Sequence, residues 1–245
     1  MLDRNIAEPL HAQLERILVE RIANDEWAVN TAIPSENELC KEYGVSRVTV
    51  RGVIERLITA GLVYRVAGRG TFISEPKIVS SPLSHVGIRQ QLDELGYENT
   101  TKLIEIKKEV AGTKLARILQ IERGVLVNVV RRVRYVKGVP LSIHTSYIPT
   151  SICNNLETMD LEGVQLCDIL EQEYGYEILK RVETLESVTA EEEEAGYLEV
   201  KRGFPLLRLE NTVYAHNDKL IEYNNVLFRG DKIKITLSYK KYEKD

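Results

Sequence analysis

A tight turn between two short helical segments constrains this chain more than any other feature. Ser35-Glu36-Asn37-Glu38 has the form of a capping box, which predicts a helix that begins after Ser35 and runs to Tyr43. Gly44 can adopt the left-handed conformation that ends a helix, and Ser46 can cap a second helix almost at once. Two short helices joined so closely predict a helix-turn-helix.

The second of these helices is predicted to bury one face and to expose a basic one. Its apolar residues recur at helical spacing and are Val50, Ile54, Leu57 and Ile58. Arg47 and Arg51 are four residues apart and therefore share the face left to solvent. The second helix of a helix-turn-helix enters the major groove by its N-terminal end, where arginine can contact guanine or phosphate. Arg47 and Arg51 are thus candidate DNA-binding residues, and Ser46 and Thr49 can bind phosphate oxygens.

Segments on both sides of this motif complete a winged helix-turn-helix. Before it, Pro9 can open a helix with one apolar face, formed by Leu10, Leu14, Ile17, Leu18 and Ile22. After it, two apolar strands over 62–66 and 71–74 are joined by the tip Ala67-Gly68-Arg69-Gly70. A hairpin so thin can enter a minor groove, so Arg69 is a further candidate DNA contact.

Charge is distributed unevenly along the chain, and for nucleic-acid binding this matters more than the net charge of −4. The net value alone argues weakly against a DNA-binding protein. Residues 47–70, however, contain five arginines and a single acid, Glu55. A basic face on an otherwise acidic module is what contact with phosphates requires.

Apolar runs and cysteine spacing indicate where the protein works. No apolar run reaches the roughly 18 residues of a membrane span, and the N-terminus lacks the apolar core of a signal peptide. Cys40, Cys153 and Cys167 are widely spaced and form no CxxC motif, so neither a disulfide framework nor a metal site is expected. We therefore expect a cytoplasmic protein with no membrane partner, metal or cofactor.

A proline-bracketed stretch from Glu75 to Pro82 predicts a linker between two domains. We assign residues 1–75 to the winged helix-turn-helix, 76–84 to the linker and 85–245 to a second domain. That domain has strand-like segments near 102–110, 125–136, 139–148, 178–188, 205–215, 220–229 and 233–239. Helices are expected near 85–95, 112–120, 165–174 and 190–198, the last capped by Thr189. Short turns between neighbouring strands predict an α+β fold, an antiparallel sheet with helices on one side.

Residues 33–72 closely resemble the winged helix of the GntR family of bacterial transcription regulators. The motifs that carry the resemblance are P-S-E at 34–36, G-V-S-R-x-T-V-R at 44–51 and G-x-G-T-F at 68–72. It implies that this domain binds double-stranded operator DNA, and that Ser35, Arg47, Thr49, Arg51 and Gly68 lie against it. Glu36 and Asn37 belong to the same expected contact set, although the family often has arginine at the position of Asn37.

Residues 85–240 resemble the effector domain of the HutC branch of this family, the UTRA domain, whose fold is similar to chorismate lyase. The matching pieces are R-R-V-R-Y-V-K-G-V-P-L at 131–141, Tyr147-Ile148-Pro149 and Ile221-Glu222-Tyr223. The resemblance implies a homodimer, usually a repressor in this branch, that reads a pseudo-palindromic operator and responds to a small-molecule effector.

Several residues of the second domain are candidates to bind that effector. Arg132 and Arg134 alternate with Val133 along one strand, so they share a sheet face and can clamp a carboxylate or phosphate. Glu222, on another strand, can accept hydrogen bonds from hydroxyls or an amine. Backbone N–H groups near Gly87 and Ile88 can bind an anion at a helix start. An Arg-Arg-Glu cluster is also commonly a cross-strand ion pair, and that alternative stays open.

Comparison with sugar-phosphate-sensing members implies further positions near the effector, where this chain departs from them. Gly87 replaces a serine, His144 a glutamate, and Phe228 a tyrosine, while Gln165 and Cys167 replace a serine and a tyrosine. The prediction is therefore an anionic effector other than a sugar phosphate, near Gly87, Ile88, Arg132, Arg134, His144, Cys167, Glu222 and Phe228. His144 can equally be a structural histidine.

Two other classes of function were weighed against a regulator. The lyase-like fold admits an enzyme, but the sequence shows no nucleophile–base pair, metal-ligand spacing or phosphate loop, so no catalytic residue is assigned. The winged helix can also serve as a protein-binding module, in which case Arg47 and Arg51 would not be needed for its interactions.

Overall fold

A computed structural model describes residues 2–4, 6–80 and 87–237, and the chain divides into two compact units, 1–77 and 78–245. The first unit contains α1 (Leu10–Ala23), α2 (Glu36–Tyr43), α3 (Arg47–Thr59), β1 (Val63–Val66) and β2 (Gly70–Ile73). β1 and β2 pair as an antiparallel hairpin. This order of elements confirms the winged helix-turn-helix.

Local sequence explains the bounds of α2 and α3. Ser35 and Glu38 form the expected capping box at the start of α2. Gly44 ends the helix at φ 64°, in the left-handed region that favours glycine. Ser46 then caps α3 by accepting from the Thr49 amide. The turn is short because a stop signal and a start signal stand two residues apart.

The core of the first unit lies between the three helices and the hairpin. Its fully or almost fully buried side chains are Leu14, Leu18, Ile33, Leu39, Val50, Val53, Ile54, Leu57, Val63 and Ile73. α3 contributes four of them, namely Val50, Val53, Ile54 and Leu57, whereas its Arg47 and Arg51 are exposed. Because burial of these residues holds α3 down, its basic face is turned to solvent.

The second unit is built around one six-stranded antiparallel sheet. Its elements are β3 (Ile78–Ser80), α4 (Ile88–Glu94), β4 (Asn99–Val110), α5 (Thr113–Leu119), β5 (Leu126–Val136), β6 (Val139–Pro149), α6 (Leu166–Gln172), β7 (Lys180–Thr189), α7 (Glu192–Leu198), β8 (Pro205–Tyr214), β9 (Leu220–Arg229) and β10 (Ile233–Ile235). The sheet order is β4-β5-β6-β9-β8-β7. The α+β class with an antiparallel sheet is confirmed.

Helices cover both faces of this sheet, so the expected arrangement on one side is wrong. α6 packs with Val130 and Ile148, whereas α5 packs with Val127 and Val129 from the other side of β5. α4 shares the face of α6, and α7 shares the face of α5. The physical reason is visible in β5, where residues 127–130 are buried in succession, as in a strand covered on both sides.

The segment expected to be a linker is partly ordered structure of the second unit. Ile78–Ser80 form β3, which pairs in parallel with β10 near the other end of the chain. A three-residue strand with so distant a partner leaves no periodic pattern in the sequence, and it was missed. The remainder of the linker within 81–86, the expected helix start at 85–86 and the residues from 238 onward lie outside the described residues.

A smaller difference concerns the start of one helix. α7 begins at a capping box formed by Glu191 and Glu194, not at Thr189 as expected, because Thr189 still belongs to β7.

Among the helices in the described part of the chain, none has both the length and the apolar character needed to cross a bilayer.

Candidate DNA-binding surface and effector cavity

The exposed face of α3 presents two guanidinium groups that are not tightly engaged. Arg47 and Arg51 are both exposed. Arg51 forms only a loose ion pair with Glu55, at 3.6 Å, and both side chains are at least 60% exposed. Ser46 accepts a hydrogen bond from the Thr49 amide at 3.2 Å, and the two hydroxyl oxygens are 2.9 Å apart. The arginines can therefore reorient toward a phosphate or a base edge.

Val48 lies between these arginines and is the most exposed large apolar residue in the described chain, at 83%. It belongs to the first turn of α3, the end of the helix that the sequence predicts to enter the major groove. An exposed aliphatic side chain at the reading end of such a helix can contact the methyl group of thymine.

The start of α2 is held by local hydrogen bonds. The hydroxyl and the amide of Ser35 donate to Glu38 Oε2 at 2.7 and 2.8 Å, and the Ser35 hydroxyl accepts from the Glu38 amide at 3.3 Å. Glu36 accepts from the guanidinium of Arg65 on β1 at 3.0 Å. This ion pair joins α2 to the wing, while Asn37 is exposed to solvent.

The tip of the wing is open and carries one cation. Gly68 has φ 71°, and a Cβ built on it would meet nothing within 4 Å, so its backbone conformation and not crowding favours glycine there. Arg69 is exposed, with its guanidinium 6.0 Å from the centre of the Phe72 ring. The wing thus projects a positive charge on a thin hairpin.

In the second unit, two buried arginines line a small cavity on the sheet face covered by α4 and α6. Arg132 and Arg134 are 6% and 5% exposed, and Glu222 is 3% exposed. The cavity has a volume of about 60 Å³. Its walls include seven of the predicted effector residues, namely Gly87, Ile88, Arg132, Arg134, His144, Cys167 and Glu222. We call this space the inner pocket.

Phe228, the eighth predicted effector residue, does not line the inner pocket. Its ring is completely buried and packs with Ile88 and Leu92 of α4. It meets the ring of His144 edge-on, with centroids 6.1 Å apart. Phe228 therefore fills the space between α4 and the ring of His144 and does not reach the pocket.

The two arginines have no carboxylate partner. Arg132 donates to the Leu161 carbonyl at 3.3 Å and Arg134 to Asn99 Oδ1 at 3.1 Å, and neither Nε atom has a partner. Glu222 Oε1 also lacks a partner, and Glu222 forms no ion pair with any described residue. The cluster therefore contains no direct Arg–Glu ion pair, although the charge of Glu222 partly offsets the effect of burial on the pKa of Arg132.

Burial shapes the protonation of these groups. Desolvation lowers the pKa of Arg132 and Arg134, but an arginine starts from so high a value that both stay charged at neutral pH. Desolvation, reinforced by the same two charges, holds the pKa of His144 well below its usual 6.5. His144 is thus a neutral imidazole, with Nε2 2.9 Å from the Ser142 hydroxyl.

A larger cleft of about 430 Å³ adjoins the inner pocket, and we call it the outer cleft. Gly87, Gln165, Cys167 and Arg181 line both spaces. A Cβ at Gly87 would collide with Gln165 Oε1, so the Gln165 amide occupies the room that a larger residue at 87 would need. The two departures from the family pattern at these positions are therefore coupled.

Besides Gln165 and Leu166 at the start of α6, three residues of the inner pocket were not among the predicted effector residues: Arg181, Asn211 and Asn224. They lie on β7, β8 and β9, at the far side of the sheet from β4. Of these, Asn224 could have been found, because it stands two residues after Glu222 and therefore shares its sheet face. In the portion of the chain that the structure describes, no group of three His, Cys, Asp or Glu residues could hold a metal ion.

A winged helix-turn-helix with an exposed basic helix, followed by an α+β domain with a polar cavity, defines a transcription regulator that senses a small molecule. The chain belongs to the GntR family of bacterial regulatory proteins. The family model matches residues 10–73, and the model of the UTRA domain matches residues 94–234, more than half of the chain. Membership of this family of regulators, and not of a family of enzymes, confirms the resemblance seen in the sequence.

Similar proteins agree with this assignment along almost the whole chain. The HTH-type transcriptional repressor NagR of Bacillus subtilis is 29% identical, over 91% of this chain and 92% of NagR. The histidine utilization repressor of Pseudomonas putida is 28% identical, over 84% of this chain and 83% of the repressor. The crystal structure of PhnF from Mycobacterium smegmatis superposes with a TM-score of 0.67 at 25% identity, covering 93% of this chain and all of PhnF.

Proposed function

We propose that this protein is a transcriptional repressor whose binding to operator DNA is controlled by an anionic small molecule. Two similar proteins bear the name of repressor, which supports the sign of regulation. The observation that carries the effector class is the pair Arg132 and Arg134, which are buried beside a cavity and form no direct ion pair with a described carboxylate. Two unpaired buried guanidinium groups are costly unless an anion neutralises them when it binds.

The proposed DNA contacts come from three places in the first unit. They are Ser35, Glu36 and Asn37 at the start of α2, Ser46, Arg47, Thr49 and Arg51 at the start of α3, and Gly68 and Arg69 on the wing. Arg47, Arg51 and Arg69 would carry most of the phosphate and base contacts because they are exposed cations. Ser35 and Ser46 already cap helices, so their part would be to present the helix ends.

We further propose that the protein acts as a homodimer in the cytoplasm. Two recognition helices related by a twofold axis would read two half-sites about one helical turn, or a multiple of it, apart. The effector can weaken operator binding only if the DNA-competent and DNA-incompetent arrangements bind it with different affinities.

The DNA-binding proposal is tested by selecting duplexes from a random pool with the purified protein. Binding of the selected duplex is then measured by fluorescence anisotropy between 50 and 200 mM salt, a range over which phosphate contacts cost orders of magnitude in affinity. Arg47→Ala and Arg51→Ala should each weaken binding and reduce the salt slope by about 1. Arg123→Ala, an exposed arginine of the second unit, is the matched control and should change neither.

Either of two results would contradict this proposal. If no duplex is preferred over a random one, the protein does not read sequence. If Arg47→Ala and Arg51→Ala bind the selected duplex with unchanged affinity and salt slope, residues other than these two hold the DNA.

The effector proposal is tested by screening anionic metabolites for a rise in melting temperature, since a ligand of the folded state stabilises it by mass action. Each hit is then added to the selected duplex complex. We expect at least one anion to raise the melting temperature and to lower operator affinity, and Arg132→Ala to abolish both effects. An operator affinity that stays the same with every bound anion would refute control by the effector.

A further inference from the structure

The inner pocket contains hydrogen-bond acceptors as well as cations, and both sets lack partners. Arg132 and Arg134 each have one hydrogen bond but an unpartnered Nε, and three other side chains on the walls have a buried oxygen without a donor: Glu222 Oε1, Asn211 Oδ1 and Asn224 Oδ1. Glu222 and Asn211 are each 3% exposed. A carboxylate can only accept hydrogen bonds, so Glu222 requires a donor that none of the described residues supplies.

The strand register separates the two sets along the pocket. Arg132 lies opposite His144, and His144 lies opposite Val226 on β9. Asn224 stands one step further along β9 and pairs with Asn211 on β8, and Glu222 stands a second step away. Each step of two residues is about 7 Å along a strand. The arginines and the acceptors therefore start from different strand positions, and their side chains meet in one small pocket that Arg181, in the same row as Glu222, also lines.

A ligand that carried only negative charge would satisfy one set alone. It would engage the arginines and leave the buried oxygens of Glu222, Asn211 and Asn224 without a donor, which is costly. Hydroxyl groups would supply hydrogen bonds to Glu222 but no opposite charge. An ammonium group supplies three donors and a positive charge, and it suits a carboxylate flanked by two amide oxygens.

We infer that the effector is a zwitterion whose ammonium and anionic groups both enter the inner pocket, as in the head group of an α-amino acid. Arg132 and Arg134 bind the anionic group, and Glu222 with Asn211 and Asn224 binds the ammonium group. A volume of about 60 Å³ admits a head of a few heavy atoms. The rest of the molecule extends past Gly87 and Arg181 into the outer cleft.

The outer cleft indicates what kind of side chain the amino acid carries. Its wall combines charged and polar residues, Gln90, Asp168, Glu171 and Lys180, with Ile178 and Leu179. Both signs of charge are present, and about 430 Å³ leaves room for a long side chain. We therefore expect a polar side chain of several atoms in preference to a small apolar one.

This inference rests on the proposed anionic effector and is tested on the full-length protein by thermal shift and calorimetry. The probes are the proteinogenic L-α-amino acids, the amines left when their carboxylate is removed, the α-hydroxy acids in which hydroxyl replaces ammonium, and glucose 6-phosphate. We expect at least one amino acid to raise the melting temperature. The corresponding amine and the corresponding hydroxy acid should each bind at least about tenfold more weakly than the amino acid, because each lacks one charge-assisted contact.

Glu222→Gln separates the ammonium site from the anion site. The substitution should weaken binding of the amino acid by about tenfold and leave binding of the hydroxy acid unchanged, because only the ammonium contact needs the negative charge. Glu186→Gln, on β7 and ion-paired with Arg208 outside the pocket, is the matched control and should bind every probe as the unchanged protein does. Loss of both probes in Glu222→Gln would overturn the assignment of that residue to the ammonium group.

The outcomes also distinguish this inference from the proposal on which it rests. If hydroxy acids or glucose 6-phosphate bind as well as or better than amino acids, the effector is an anion but not a zwitterion. The inference then fails and the proposed function stands. If only amines bind, or no probe binds, the inference fails and the arginine pair is not shown to serve an anion.

Discussion

Arg132 and His144 lie directly opposite each other on β5 and β6, and their side chains share the wall of the inner pocket. Both are at most 6% exposed, so the positive charge acts on the imidazole through a poorly solvated medium. The neutral ring is stabilised in turn by the Ser142 hydroxyl and by the edge of Phe228. The same two arginines that would attract an anion therefore keep their neighbour uncharged.

Acid should destabilise the fold through His144. Its pKa in the folded protein lies well below 6.5, so below pH 6.5 the unfolded chain takes up a proton that the folded one refuses. Stability is thus fully present above pH 6.5 and falls as the pH drops, with a slope that approaches about 1.4 kcal/mol per pH unit from this residue alone. Urea unfolding at pH 7.5, 6.5 and 5.5 measures it, and His144→Gln should remove that part of the slope. His216→Gln, an exposed histidine beside Glu177, should keep it; equal slopes in all three proteins would contradict the assignment.

We expect Arg132 to destabilise the protein when no ligand is bound. Arg132→Met keeps the length of the side chain and removes a buried charge, so the free energy of unfolding should be unchanged or higher by up to about 3 kcal/mol. The neighbouring Arg131 points to the other sheet face and pairs with Glu193 at 2.6 Å. Arg131→Met should lose a small amount of stability, typical of a solvent-exposed pair. A larger loss in Arg132→Met than in Arg131→Met, by urea unfolding, would show that the buried arginine is structural.

Val48 should contribute to the sequence specificity of DNA binding more than to the non-specific affinity for DNA. Val48→Ala removes two methyl-sized contacts, so affinity for the selected duplex should fall by up to about fifteenfold, at about 0.8 kcal/mol for each buried CH₂. Affinity for random duplexes and the salt slope should not change, since no phosphate contact is lost. Anisotropy with both duplexes decides this, and an equal loss on the two would place Val48 outside the base-reading contacts.

Gly52 should be a weak point of α3 that can be repaired. It lies inside the helix without a positive φ, and a Cβ there would meet only the Arg56 guanidinium, at 3.8 Å. Gly52→Ala should raise the stability of the first unit by about 1 kcal/mol through helix propensity. Gly44→Ala, at φ 64°, should lower it by about 1–2 kcal/mol because alanine resists the left-handed conformation. Thermal unfolding of both variants tests the pair, and a loss of stability in Gly52→Ala would show that close approach at this position matters.

Features that depend on neighbours in the sequence could be predicted. The capping box, the left-handed Gly44 and the cap at Ser46 all act within four residues, so the helix-turn-helix followed directly. The shared face of Arg132 and Arg134 followed from the two-residue period of a strand. These are the parts of the site where local geometry leaves little choice.

Features that depend on strand order could not be predicted in the same way. Arg181 lies on β7, which is the opposite edge strand from β4, and only the order β6-β9-β8-β7 brings it to the inner pocket. The placement of helices on both faces had the same difficulty, because four short helices carry too few apolar residues to show which side they cover. The close approach of the Gln165 side chain to Gly87 joins residues 78 positions apart in the sequence, which no local pattern could indicate.

The parallel ladder of β3 and β10 has a practical consequence for engineering. Ile78 pairs with Ile233 and Ile235 with Ser80, so the first and last strands of the second unit lie side by side. A truncation that removes β10 would strip β3 of its only strand neighbour among the described residues. The same adjacency brings Ile78 and Ile235 within a short peptide bridge of each other, which makes this unit a natural candidate for circular permutation or for transplantation into an unrelated host protein.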